Sequence, residues 1–108
     1  MKRSRTYSPR TLDALRLLGQ RIRLARKRRN MTVEELAERV GASHTTVRQI
    51  ERGSPTVGIG VCFEAASILG VALFDEDHAR VRLEARQVDS DLALLPKAVR
   101  KRRVDDDF

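Results

Sequence analysis

The stretch from Met31 to Gly53, MTVEELAERVGASHTTVRQIERG, leaves this chain few choices of local structure. Thr32 followed three residues later by Glu35 forms a capping box, in which each residue satisfies an amide that the first helical turn leaves open. Val33, Leu36, Ala37 and Val40 then recur at helical spacing and make one apolar stripe. Gly41 stops that helix, since it takes a left-handed backbone without a Cβ clash. Ser43 offers a second N-cap, and Val47 and Ile50 supply the buried side of a second helix that ends at Gly53.

Two short helices joined by such a turn form a helix-turn-helix, whose second helix enters the DNA major groove. At about 100° per residue, with Val47 and Ile50 inward, Thr45, Arg48, Gln49 and Arg52 fall on the opposite side. His44 stands at the helix start. Glu51 falls at the edge of the buried stripe, so the outward set contains no acid.

These residues carry a resemblance. LAERVGASHTTVRQIERG, followed by PTVG at Pro55 to Gly58, resembles the Cro/C1-type (Xre family) helix-turn-helix of phage and bacterial repressors. It covers roughly residues 12–74 and runs through Leu36, Ala37, Gly41, Ser43, Val47, Ile50, Glu51 and Gly53. The resemblance implies an all-α, compact five-helix, lambda-repressor-like domain, with a basic N-terminal arm over 1–10, the domain proper over 11–74 and a charged C-terminal helix and tail over 75–108. It implies a cytoplasmic, sequence-specific DNA-binding repressor, working as a homodimer on an operator with two half-sites about 34 Å apart. The implied contacts are Thr32, Ser43, His44, Thr45, Thr46, Arg48, Gln49, Arg52 and Thr56. Of these, Arg48 or Gln49 can read a base, because Arg suits guanine and Gln suits adenine. Thr45 suits a thymine methyl or a phosphate, Arg52 and the Thr32 helix start suit phosphates, and His44 is either a reader or a surface residue. The resemblance also implies that Arg26, six residues before the capping Thr, pairs with Glu51 as a structural ion pair.

Composition agrees with a polyanion partner. Among 108 residues, 22 Lys and Arg against 15 Asp and Glu give +7, with a pI near 10.7. Residues 1–30 carry eleven of the basic residues and one acid, Asp13, so the charge lies in the first helix and the tails rather than mid-domain. With three Phe, one Tyr and no Trp the core is small and aliphatic, which favours dimerisation. An enzyme finds little support: His44 and His78 are the only histidines, Cys62 is the only thiol, no metal-ligand spacing occurs, and Gly58-Ile59-Gly60 follows no strand. No cofactor or metal is expected. No apolar run approaches a membrane span of about 18 residues, so no membrane association is expected.

In chain order, Met1 to Arg10 is a basic arm, serving either to reach DNA or only as a solvated terminus. Thr11 is expected to cap a helix from Leu12 to Arg29 with Leu15, Leu18, Ile22 and Ala25 as its core stripe and Leu24 beside it. A fourth helix runs from Ile59 to Leu69 through Val61, Cys62, Ala65, Ala66 and Ile68, and Gly70 ends it. Val71 to Phe74 complete the core as a short fifth helix. Asp75 to Gln87 can form a charged helix.

LALLPKAVRKRRVDDDF closes the chain with an apolar cluster, a helix-breaking Pro96, a basic run, an acidic run and a terminal Phe. LPKAVRKRR is similar to the tails of HipB-like antitoxins that partner HipA-like kinase toxins. That similarity implies a partner-binding segment at Leu94, Leu95, Lys97, Arg100, Arg102 and Phe108. The alternatives are a stand-alone phage-like or metabolic repressor, and a tail that only adds solubility and phosphate affinity.

Overall fold

The computed structural model describes residues 5–101. Five α-helices and no strands appear among them: α1 Pro9–Arg28, α2 Val33–Val40, α3 His44–Arg52, α4 Ile59–Ile68 and α5 His78–Ala93. The chain divides into two compact units, one reaching Glu76 and one starting at Asp77.

In the first unit α1 packs on α3, and α2 packs on both α3 and α4. The core they enclose consists of Ile22, Leu36, Ala37, Val47, Ile50, Ala65, Ala66 and Leu69. Each stripe of the helix-turn-helix thus faces inward as its periodicity demands. Leu18, Ala25, Met31 and Val33 pack around this centre, whereas Leu24 is 49% exposed and stays outside it.

Both caps of α2 form as its sequence dictates. Thr32 Oγ1 accepts from the Glu35 amide at 3.1 Å, and the Thr32 amide donates to Glu35 Oε1 at 3.0 Å. Gly41 closes the helix at φ 80°. The hydrogen bond from the Thr32 amide holds the Glu35 carboxyl below its ordinary range. The unfolded chain therefore takes up this proton first as pH falls. The box contributes fully above the ordinary glutamate value and is lost as pH drops through the lower folded value. Glu35→Gln, which keeps an acceptor but cannot titrate, is expected to flatten the acid limb of the stability-pH curve. Superimposable acid limbs for the two proteins would show that Glu35 contributes nothing to it.

Three expectations need correction. The first helix starts at Pro9, inside the stretch read as an arm; Ser8 is its N-cap and accepts from the Thr11 amide. Pro at the first helical position lacks only an amide that would be unpaired there anyway. Val71 to Phe74 form no helix. Four apolar residues without a cap cannot nucleate one. Instead the Val71 amide returns to the Ala66 carbonyl at 2.8 Å and Leu73 packs on the core. Phe74 is 76% exposed, its ring set edge-on to Phe63 at 6.3 Å.

The second unit is dominated by α5, which starts later and ends later than read from sequence. Asp77 caps it by accepting from the Ala79 amide, and it runs to Ala93, three residues before Pro96. None of its residues is buried.

Candidate nucleic-acid interface

α3 is a nine-residue helix whose two ends are set by sequence. Ser43 Oγ accepts from the Thr46 amide at 3.1 Å and shares a hydrogen bond of 3.0 Å with Thr46 Oγ1. Gly53 ends the helix at φ 78°. Val47 and Ile50 are buried, and His44, Thr45, Arg48 and Arg52 are exposed. Gln49 and Thr46 lie half-buried between the two faces.

Most of the expected site residues fall within the described residues. His44, Thr45, Arg48 and Arg52 share the outer face, with Gln49 at its margin. Ser43, Thr46 and Thr32 are occupied in caps at the starts of α3 and α2. Thr56 lies in the loop after α3, where its hydroxyl meets Ser54 Oγ at 2.9 Å. In the second unit Leu94, Leu95, Lys97 and Arg100 are all exposed, while Arg102 and Phe108 lie outside the described residues.

Glu51, the one acid of α3, does not face outward. Arg26 of α1 donates from Nε to Glu51 Oε2 at 2.7 Å and from Nη2 to Oε1 at 3.1 Å, and from Nη1 to the Met31 carbonyl at 2.8 Å. Arg26 is only 8% exposed. The hydrogen bonds to Glu51 outweigh desolvation and raise the Arg26 guanidinium pKa above its ordinary value. The outer face of α3 is left with cations and neutral polar groups.

Two glycines set how closely α1 approaches this helix. A Cβ on Gly19 would collide with the Ile50 and Glu51 carbonyl oxygens, and one on Gly53 would lie 2.7 Å from both the Cα and the amide nitrogen of Arg16. The close crossing brings Arg23, one turn before Arg26, beside α3. Arg23, Arg26, Val33, Arg48, Glu51 and Arg52 line a notch of about 260 Å³ there. Arg23 belongs to the basic second half of the first helix, Arg21 to Arg29, some of which the sequence expects to line phosphates; its three-residue step to Arg26 puts both on one side of α1.

Among the described residues no group of three or more His, Cys, Asp or Glu could hold a metal ion, and no helix is long and apolar enough to cross a membrane. Partial burial raises the Cys62 thiol above its ordinary pKa, which favours the protonated form.

A family profile described as Helix-turn-helix matches residues 22–75, half of the chain. The chain is also similar to an uncharacterized HTH-type transcriptional regulator of Sinorhizobium fredii, at 30% identity over 94 residues. That match covers 84% of this chain and spans 64% of the length of the relative. No solved structure gives a significant match. The matched stretch contains α2, the turn at Gly41 and α3, and the chain belongs to the helix-turn-helix family.

Proposed function

We propose that this protein is a cytoplasmic transcriptional repressor that binds double-stranded DNA through α3 as a two-fold dimer. The observation that carries the reading is the fate of Glu51. With both its oxygens held by Arg26, α3 presents no negative charge to a duplex. Two copies of α3 would enter successive major grooves about 34 Å apart. In this reading His44, Thr45 and Gln49 meet base edges, and Arg52, Thr56 and the starts of α2 and α3 meet phosphates.

Selection from a randomised duplex pool tests this. Recovery of a two-fold symmetric site is expected; a pool that stays random at moderate salt overturns it. On the recovered site Gln49→Ala is expected to cost about 1–3 kcal/mol and relax preference at one base pair. Arg52→Ala should weaken cognate and unrelated duplexes alike. Equal, sequence-independent losses from both would show that the reading face is wrongly assigned.

A finer reading is that the repressor is also the antitoxin of a HipA-like kinase toxin and represses their shared operon. The second unit supports it: Leu94 is 84% exposed, and Leu92, Leu95 and Val99 line a hollow flanked by Lys97 and Arg100. Co-purification of a serine/threonine kinase with the wild-type protein from its host, lost in a Leu94→Asp/Leu95→Asp variant, is the expected result. Retention of DNA alone by both proteins favours the stand-alone repressor.

A further inference from the structure

The notch between α1 and α3 shares Arg48 and Arg52 with the outward face of α3 and adds Arg23 from α1. Its lining holds four guanidiniums and one carboxylate, and that carboxylate is fully taken up by Arg26. Arg23, Arg48 and Arg52 are exposed and have no hydrogen-bond or ion-pair partner among the described residues. Arg48 and Arg52 stand one turn apart on α3, and Arg23 meets them from α1. Three uncompensated positive charges around one hollow repel each other, and a bound anion would relieve that repulsion. Planar guanidinium forks match the oxygens of a phosphate. The notch is smaller than the sites of about 300–1,000 Å³ that enclose drug-sized ligands, so it suits one oxyanion group rather than a whole effector molecule.

We propose that this notch is an oxyanion site that takes one phosphate group, with Arg23, Arg48 and Arg52 as its ligands and the Arg26–Glu51 pair as its floor. Where the phosphate belongs to a DNA backbone, the inference rests on the DNA-binding reading above. It then assigns Arg48 to holding register rather than reading a base, and brings α1 into the interface through Arg23. A phosphodiester and a free phosphate share this chemistry, so the test separates them.

Full-length wild type, Arg23→Gln and Arg21→Gln are compared for duplex binding across a salt series. Arg21 is an exposed arginine of α1 outside the notch. Each neutralised phosphate contributes about 0.9 to the slope of log K against log salt. Arg23→Gln should lower the slope on duplexes of unrelated sequence, by at most about 0.9 for each of the two notches of a dimer, and Arg21→Gln should not. If wild type binds duplex and the two variants behave alike, the proposal is overturned while the DNA reading stands.

If wild type binds no duplex, the DNA reading fails by itself and titration with inorganic phosphate decides, followed through the arginine Nε–H signals. Saturable shifts confined to Arg23, Arg48 and Arg52 keep the notch as a free-phosphate site. Shifts spread evenly over all arginines overturn it.

Discussion

Gly53→Ala is expected to destabilise the helix-turn-helix unit by about 4 kcal/mol, lowering its thermal midpoint by about 20 °C. Two causes add. The residue sits at φ 78°, where a Cβ costs about 1–2 kcal/mol. That Cβ would also lie 2.7 Å from the Cα and amide nitrogen of Arg16 and 2.9 Å from the Leu15 carbonyl carbon. These are backbone atoms inside α1 and cannot rotate aside, which places the overpacking near the top of the usual range of about 1–3 kcal/mol. Gly19→Ala meets α3 backbone from the other side, but as a mid-helix change it recovers about 0.5–1 kcal/mol of propensity. Its net cost should be nearer 2 kcal/mol. Circular dichroism melts check both. A Gly53→Ala midpoint within a few degrees of wild type would mean that α1 and α3 stand farther apart than described.

The second large effect is expected at the buried ion pair. Arg26→Met leaves the Glu51 carboxylate without its partner and the Met31 carbonyl without its donor, and removing one side of a buried pair costs about 3–5 kcal/mol. Glu51→Gln keeps a neutral acceptor and should cost less. Arg26→Met/Glu51→Leu, which removes both charges and fills the space, should recover much of the loss, because a buried pair roughly breaks even against apolar side chains. Urea unfolding of the three variants measures this ordering. A loss below about 1 kcal/mol for Arg26→Met would put the pair in the class of solvent-screened surface bridges.

What could be read from the sequence was what a few neighbouring residues decide. The Thr32–Glu35 box, the Ser43 cap and the ends at Gly41 and Gly53 are all settled within one or two turns. Val47 and Ile50 declared the inner face of α3 by periodicity alone. Ser8-Pro9 was equally local, but Thr11 offered a competing cap; in the structure the two hydroxyls bond to each other at 3.1 Å. Val71 to Phe74 misled because an apolar run does not distinguish a last helical turn from an extended segment dipping into the core. The notch depends on the angle and distance at which α1 crosses α3. Those follow from Gly19 and Gly53 meeting backbone more than thirty residues away in the chain, and no periodicity reports that.

The seating of α1 against α3 also has a consequence in the time domain. A nine-residue helix is too short to persist alone in water, so α3 keeps its amides closed only while α1 and α2 lie against it. Native-state hydrogen exchange should therefore show the central amides of α1 and α3 opening together, with one free energy, as a single cooperative unit. No partly opened form would retain a formed recognition helix. The fraction of molecules able to engage a groove would then equal the fraction globally folded, with no intermediate of reduced competence between them.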